Sequence, residues 1–155
     1  MSKKDNFKKL IQGIVEESSN LKDKYTEEKN VQVNYACVFS QNDKEYQEFY
    51  QLASDIGQIV KQTDTGDLFK ISGLDTVAGH LRLLKIRRPD NLRPERGDAD
   101  FTVLNYGNFK NENVQRPGFK LIQRPNIEMI ELSDPLFNVL TYFSYPPLDQ
   151  QLGLK

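Results

Sequence analysis

The order of predicted secondary-structure elements repeats once along the chain, and this repeat restricts the possible folds more than any other feature. Residues 31–39 are rich in β-branched and aromatic side chains, which predicts a strand. Residues 44–56 place apolar side chains on one helical face before Gly57, which predicts a helix that ends at the glycine. Further strands are predicted at residues 58–63, 68–71 and 80–88, with a polar loop at 72–79.

The same order starts again after residues 89–97, whose prolines and glycine predict a linker. A strand is predicted at 98–104, a short helix from residue 105, and strands at 119–124, 127–132 and 138–144. The two series have a period of about 65 residues, since Asp98 stands 63 positions after Tyr35. Two βαβββ modules predict an α+β fold with a cupped mixed sheet, helices on one face and a concave opposite face.

Apolar side chains at helical spacing, with lysines and glutamates between them, predict an amphipathic N-terminal helix to about residue 25. Because neither module offers it a partner, we expect this helix to pack on the outside of the sheet. The chain of 155 residues is predicted to form a single domain, 1–155. Its parts are the N-terminal helix region 1–28, the first module 31–88, the second module 98–144 and a tail 145–155.

Composition restricts the setting in which the protein works. No apolar run is long enough to span a bilayer, so we expect no membrane partner. The first residues lack the apolar core of a signal peptide, and the single Cys37 cannot form an internal disulfide. These features predict a cytoplasmic protein, either a monomer or a homodimer.

Basic residues are concentrated in the middle of the chain. Residues 81–124 hold 10 lysines and arginines against 5 aspartates and glutamates, whereas the whole chain has a net charge of −1. Such a block favours an anionic partner, but the interpretation we prefer is pairing with acidic surfaces of the same chain. Nucleic-acid binding is not expected, because the block contains no known nucleic-acid motif and the pI is about 5.9. A basic hairpin that docks an acidic or nucleic-acid partner is kept as the alternative function.

Three stretches on the predicted elements carry a family resemblance. The motifs are a helix end, a strand and a turn with the strand after it. They are Phe49-Tyr50-Gln51-Leu52-Ala53-Ser54-Asp55-Ile56-Gly57, Asp100-Phe101-Thr102-Val103-Leu104-Asn105-Tyr106 and Ser133-Asp134-Pro135-Leu136-Phe137-Asn138-Val139-Leu140-Thr141-Tyr142. Together they resemble the vicinal oxygen chelate superfamily, which includes glyoxalase-like, dioxygenase-like and isomerase-like proteins. The additional N-terminal helix is similar to that of the YecM-like branch.

The resemblance implies a cup that binds a small oxygenated molecule beside a divalent metal, as in a lyase, an isomerase or an oxygenase. The family's first-strand ligands, His or Glu, fall near Tyr35 and Asp98, which makes Tyr35 a candidate substrate-binding residue. The last-strand ligands fall near His80 or Arg82 and on Thr141, where the family has Glu. Since the usual ligand types are largely missing, we expect a degenerate metal site, and the sequence leaves open whether the protein is an enzyme.

His80 is the only histidine in the chain. In a regular strand it shares one face with Arg82, Leu84 and Ile86. A histidine facing the cup suits acid–base catalysis or metal ligation, and Arg82 beside it would orient an anionic substrate. The alternative is a strand-end histidine that is hydrogen-bonded to a loop, and both interpretations stay open.

Asp98 and Asp100 alternate along the opening strand of the second module and therefore share a face. Two carboxylates facing a concavity are costly unless they are solvated, paired or bound to a metal. The interpretation we prefer is pairing with Arg82 or Arg96.

A metal site is the second interpretation of the same carboxylates. With His80 and Glu131, the two aspartates would provide a His/carboxylate ligand set that suits Mn, Fe, Zn or Ni. His80 and Glu131 are also the candidate catalytic acid–base groups. Without such a metal, no cofactor is expected. In either case the predicted ligand is a small anionic or oxygenated molecule.

Overall fold

The computed structural model describes residues 2–154, which form four helices and eight strands. In chain order the elements are α1 (Lys3–Tyr25), β1 (Gln32–Phe39), α2 (Asp43–Ile56), β2 (Gly57–Thr63), β3 (Gly66–Thr76), β4 (Gly79–Arg87), β5 (Gly97–Thr102), α3 (Tyr106–Asn113), β6 (Phe119–Arg124), β7 (Ile127–Leu132), β8 (Val139–Tyr145) and α4 (Leu148–Gln151). Met1 and Lys155, which the predicted regions 1–28 and 145–155 include, lie outside the described residues.

The eight strands form one open, curled mixed sheet in the order β2-β3-β4-β1-β5-β8-β7-β6. In each half the first strand lies parallel to the last, β1 beside β4 and β5 beside β8. The halves meet where β1 pairs antiparallel with β5. This is the paired βαβββ arrangement with a cupped sheet, so the predicted fold class is confirmed.

The helix α1 packs across the middle of the sheet, against β1, β3, β5 and β8. Phe7, Ile11 and Leu21 are buried on its inner face, and the Phe7 ring stacks on Phe49 of α2 at 5.4 Å between centroids. The predicted end near residue 25 and the predicted packing on the sheet are both confirmed. Although α1 has 23 residues, no helix within residues 2–154 is both long and apolar enough to cross a membrane.

Side-chain oxygens cap both module helices. Asn42 accepts a hydrogen bond from the Glu45 amide at 2.8 Å and begins α2. Asn105 accepts one from the Asn108 amide at 3.1 Å and begins α3. An asparagine oxygen at this position satisfies an amide that has no partner inside the helix, which is why both helices begin there.

The main core lies between the helices and the sheet, and a smaller apolar cluster lies on the opposite face. Along β1, Ala36 and Val38 belong to the main core, whereas Cys37 and Phe39 belong to the smaller cluster. The smaller cluster also contains Leu140 and Tyr142, with Ile122 and Met129 packed against it. Because strand side chains alternate between faces, this second cluster marks the concave side of the sheet.

The predicted polar loop at residues 72–79 is wrong. The strand β3 continues to Thr76, and its register with β4 shifts between Lys70 and Leu74. Within this irregular stretch Gly73 has φ +117°, a backbone conformation that other residues rarely adopt. The irregularity allows one long hairpin to form from residues whose pattern is too polar and glycine-rich to predict a strand.

The predicted faces of β4 are also wrong. Leu84 and Ile86, expected to share the cup face with His80, belong to the main core together with Leu81. Lys85 and Arg87 therefore face the concave side. The register shift of β3 lies opposite Arg82, and it breaks the regular alternation from which the faces were predicted.

Candidate functional site

A cavity of about 500 Å³ opens on the concave side of the sheet, and we call it the cup. Both modules and the linker contribute to its lining. Its lining includes Tyr35 and Cys37 of β1, Lys85 and Arg87 of β4, Arg93 of the linker, Asp98 of β5, Ile122 and Arg124 of β6, Met129 of β7 and Tyr142 of β8.

Asp98 is the buried acid of the cup. Its side chain is 6% exposed, and its buried Oδ1 atom has no hydrogen-bond partner among the described residues. Burial raises the pKa of Asp98 to about 8, and the neighbouring Asp100 carboxylate acts in the same direction. Lys85 and Arg87 act against that rise in pKa without cancelling it. At neutral pH the Asp98 carboxyl therefore holds its proton.

Asp100 lies behind Asp98 on the same face of β5. It accepts hydrogen bonds from the Ser144 hydroxyl and, at 3.3 Å, from the Ser144 amide. Burial raises the pKa of Asp100 to about 7, although the two bonds from Ser144 favour its ionised form.

Within residues 2–154 neither aspartate forms an ion pair with Arg82 or Arg96, so the preferred interpretation of these carboxylates is wrong. Arg82 lies 3.8 Å from Asp149, and Arg96 lies 2.6 Å from Glu45. Both arginines are occupied by carboxylates of other elements.

Two cations of β4 form one wall of the cup. The Lys85 ammonium donates a hydrogen bond of 2.5 Å to the Thr65 hydroxyl. The Arg87 guanidinium lies 5.2 Å from the Phe39 ring centroid and 3.2 Å from Asp90. Its Nε atom is buried and has no partner among the described residues. This wall therefore offers positive charge to the cup.

The opposite wall combines two arginines with an acid–phenol pair. The Tyr142 hydroxyl donates to Glu131 at 2.6 Å, and Arg93 reaches the same carboxylate oxygen at 3.5 Å. Burial raises the pKa of Tyr142, and the neighbouring carboxylates Asp98 and Glu131 raise it further. Within residues 2–154, Arg124 donates a hydrogen bond only to the Gln123 carbonyl, at 3.3 Å.

Tyr35, the predicted substrate-binding residue, does line the cup. Burial raises the pKa of its phenol, as do the carboxylates of Asp100 and Asp98. Tyr35 therefore stays neutral and can donate or accept a hydrogen bond in the cup.

His80 and Arg82 lie elsewhere, on a second cavity of about 390 Å³ that the C-terminal tail helps to form. The His80 Nδ1 atom is 2.8 Å from the exposed Asp75 carboxylate. Its ring covers Gly73, where any Cβ atom would clash with it. Of the predicted site residues, Tyr35 and Asp98 line the cup, Glu131 is hydrogen-bonded to the lining residue Tyr142, and Asp100 neighbours Asp98. His80 and Arg82 lie outside the cup.

The residues of the cup do not fit the divalent metal that the resemblance implies. Within residues 2–154, no three His, Cys, Asp or Glu side chains are grouped so that they could hold a metal ion. Thr141, at the predicted ligand position, faces the helices and donates to the Ser18 carbonyl at 2.8 Å. The ammonium and guanidinium groups of Lys85 and Arg87 beside Asp98 would repel a cation.

Sequence reasoning missed Lys85, Arg87, Arg124 and Tyr142 as cup residues. A usable signal was present in β4, because Leu84 and Ile86 are the more natural core residues and alternate with Lys85 and Arg87. For Arg124 and Tyr142 no such signal existed, since their strands carry apolar residues on both faces.

The ten basic residues of 81–124 are used in several ways. Five of them form ion pairs with carboxylates of the same chain: Arg82, Arg87, Arg93, Arg96 and Lys110. Four line the cup: Lys85, Arg87, Arg93 and Arg124. The block is thus divided among separate surfaces and does not form one continuous patch.

Comparison with solved structures shows a shared fold. The structure described as "Structural Genomics, Protein EC4020" matches 96% of this chain and 91% of its own, with a TM-score of 0.73 and 9% identity. At that identity the match shows the fold alone. No protein-family model matches the chain, and no curated protein matches it.

Two further solved structures carry names from the superfamily that the sequence resembles. One is a glyoxalase/bleomycin resistance protein/dioxygenase superfamily member from Vibrio splendidus 12B01, with a TM-score of 0.46 and 7% identity over 74% of this chain and 97% of that chain. The other is glyoxalase I from Zea mays, with a TM-score of 0.43 and 15% identity over 74% of this chain and 42% of that chain. At these scores neither match supports a functional conclusion, and a YecM-like relationship is not shown.

Proposed function

We propose that the protein binds a small organic anion in the cup. The observation that carries the proposal is the Asp98 carboxyl, buried and with an unpartnered oxygen, in a cavity that four cationic side chains also line. The protonated carboxyl donates a hydrogen bond to a ligand oxygen, and the cations neutralise the ligand's charge.

The energetics of burial support a ligand at this position. A buried polar group without a partner costs about 1–3 kcal/mol, which a ligand oxygen at Asp98 would relieve. An ionised carboxylate at the same place would repel an anion, whereas the protonated form does not. Cations in a concave, partly buried site also focus positive potential and attract anions from solution.

The proposal concerns binding and involves no metal. A metal-dependent lyase, isomerase or oxygenase reaction is what the family resemblance suggests, but the donor groups of the cup do not suit it. Tyr35, Tyr142 and protonated Asp98 are neutral hydrogen-bonding groups, and Lys85 and Arg87 are cations. These groups suit the recognition of an oxygen-bearing anion.

Isothermal titration with a panel of small carboxylates tests the proposal, using wild type, Lys85→Gln and Lys70→Gln. Lys70 is the control because it is exposed on the neighbouring strand β3 and lines neither the cup nor the second cavity. A hydrogen bond to a charged group is worth about 1.5–3 kcal/mol, so Lys85→Gln should weaken binding about 10- to 100-fold. Lys70→Gln should leave binding within about twofold of wild type.

Two results would contradict the proposal. One is the absence of binding for every carboxylate in the panel. The other is an equal loss of affinity in both variants, which would show that binding depends on general surface charge.

A further inference from the structure

The positive charge of the cup is divided between two facing walls. We propose, on the basis of the proposed function, that the ligand is a dicarboxylate with an apolar body. One carboxylate would bind at Lys85 and Arg87, and the other at Arg124 and Arg93.

The strand order places these two pairs of cations far apart along the sheet. Between β4 and β6 lie β1, β5, β8 and β7, so the two strands are five steps apart. At about 4.8 Å per step, a flat sheet would separate them by roughly 24 Å. Lys85 and Arg124 nevertheless line one cavity of about 500 Å³, so the curl of the sheet brings the two walls to face each other.

Each wall has one cation without a carboxylate partner. Lys85 donates to the Thr65 hydroxyl, and Arg124 donates to a backbone carbonyl. Neither has an ion pair within residues 2–154, whereas Arg87 and Arg93 are paired with Asp90 and Glu131. The unneutralised charges therefore stand one on each wall, which matches a ligand with one negative charge at each end.

The strands between the two walls present apolar side chains to the cup. Cys37 of β1 and Met129 of β7 line the cup and belong to one apolar cluster with Phe39, Leu140 and Ile122. An apolar ligand body packed on this cluster would remove apolar surface from water, with a gain of about 25 cal/mol per Å². Asp98 lies on β5, within the same span of strands, so it can donate to an oxygen of either ligand group or of the body.

Carboxylates suit the two walls better than phosphates do. Asp64 also lines the cup, and Glu131 accepts the hydrogen bond of the lining residue Tyr142. These carboxylates would repel a group carrying close to two negative charges more strongly than a group carrying one. A single charge at each end balances the two unpaired cations.

Matched acids test the inference: adipate against hexanoate, and terephthalate against benzoate, by isothermal titration or ligand-observed NMR. In wild type we expect one diacid to bind at least about tenfold more tightly than its monoacid, since two charge-assisted contacts replace one. Arg124→Gln should remove most of that difference and change monoacid binding by only about twofold, whereas Lys85→Gln should weaken the binding of both acids, as it does for the carboxylate panel. The control is Lys70→Gln, which removes an exposed charge from β3. Thermal unfolding confirms that each variant is folded.

The failure of this inference differs from the failure of the proposed function. If monoacids bind as tightly as diacids and Lys85→Gln weakens both, the cup is an anion site but the dicarboxylate inference is overturned. If a diacid keeps its advantage in Arg124→Gln, the second carboxylate does not bind at that wall, and the inference is also overturned. If no acid binds at all, both proposals fall.

Discussion

Asp98 and Asp100 make the stability of the folded protein depend on pH. An unperturbed aspartate has a pKa of about 3.9, whereas burial raises the pKa of Asp98 to about 8 and that of Asp100 to about 7. Between those values the folded protein binds more protons than the unfolded chain. The free energy of unfolding contributed by these groups is therefore fully present below about pH 4 and is lost as the pH rises through about 8.

Asp98→Asn should flatten this pH dependence, because the amide cannot ionise. Each proton contributes a slope of at most about 1.4 kcal/mol per pH unit. Urea unfolding at several pH values between about 5 and 8 measures the slope in wild type and in the variant. Asp55→Asn, which changes an exposed carboxylate of α2 that accepts from Gln51, is the control and should keep the wild-type slope. An unchanged slope in Asp98→Asn would show that this carboxyl is already ionised at neutral pH.

Tyr142 stabilises a buried carboxylate at the wall of the cup. Its hydroxyl donates the short bond to Glu131, which Arg93 reaches only at 3.5 Å. Tyr142→Phe should therefore lower the free energy of unfolding by about 1–3 kcal/mol, the usual cost of leaving a buried acceptor without its donor. Glu131→Gln in the same background should recover part of that loss, because an amide needs less compensation than a carboxylate.

Tyr145→Phe is the matched control for that measurement. Tyr145 is 56% exposed and stacks on Tyr106 with 5.1 Å between ring centroids, a contact that phenylalanine keeps. Chemical denaturation should show a change below about 0.5 kcal/mol for Tyr145→Phe. Equal losses in the two tyrosine variants would argue against a special role for the pair of Tyr142 and Glu131.

At the scale of elements, the sequence predicts which segments are strands and helices much better than it predicts which way their side chains face. Local signals such as Gly57 mark the end of α2 and the turn between β2 and β3, so those boundaries agree with the structure within one or two residues, whereas the predicted end of β3 is five residues too early. The faces of β4 depend on a register shift in its pairing with β3, so they cannot be predicted from the residues of β4 alone. A shift of one residue moves every later side chain of a strand to the opposite face of the sheet. Counting from His80 therefore could not place Lys85 and Arg87 on the cup face.

On β8, too, the sequence did not predict which face Thr141 occupies, and its observed contact leads to a prediction about α1. Its hydroxyl donates to Ser18 of α1, and the Ser18 hydroxyl donates to the Leu140 carbonyl at 3.0 Å. Thr141→Val should weaken this attachment and lower the free energy of unfolding by about 1 kcal/mol. Carboxylate binding should stay unchanged, because the side chain lies on the helix-covered face.

Titration of the Thr141→Val variant with the best carboxylate checks that separation of roles. A loss of affinity comparable with that of Lys85→Gln would mean that Thr141 is coupled to the cup. A stability equal to wild type would mean that the contact between α1 and β8 does not depend on this hydrogen bond.

At the scale of the whole molecule, one cup forms because the two modules join through β1 and β5. The register places Cys37 beside both Lys85 and Asp98, and Asp100 beside Tyr142. Asp98 and Arg124 come from the second module, whereas Lys85 and Arg87 come from the first, so neither module alone contains the complete site. The repeat of element order predicts this joining of halves, whereas the side chains that fill the cup depend on register.

Long-range charge should also affect binding at this scale. The chain has a net charge of −1, so attraction of an anion must come from the local cations of the cup. Raising the salt concentration from about 0.05 M to about 0.5 M should weaken carboxylate binding several-fold, because salt screens partly exposed charges. Titrations at three salt concentrations measure the effect, and affinity independent of salt would point to apolar contacts as the main source of binding.

Chemical-shift mapping with ¹⁵N-labelled protein and a bound dicarboxylate tests most directly whether the cup is the binding site. If the ligand binds there, the largest amide shifts should fall on Tyr35 and Cys37 of β1, Lys85 and Arg87 of β4, Asp98 of β5 and Arg124 of β6. Amides near His80 and Arg82, on the second cavity, should remain unchanged. Shifts concentrated around His80 and Arg82, or no shifts with any acid, would contradict the assignment of the cup as an anion-binding site.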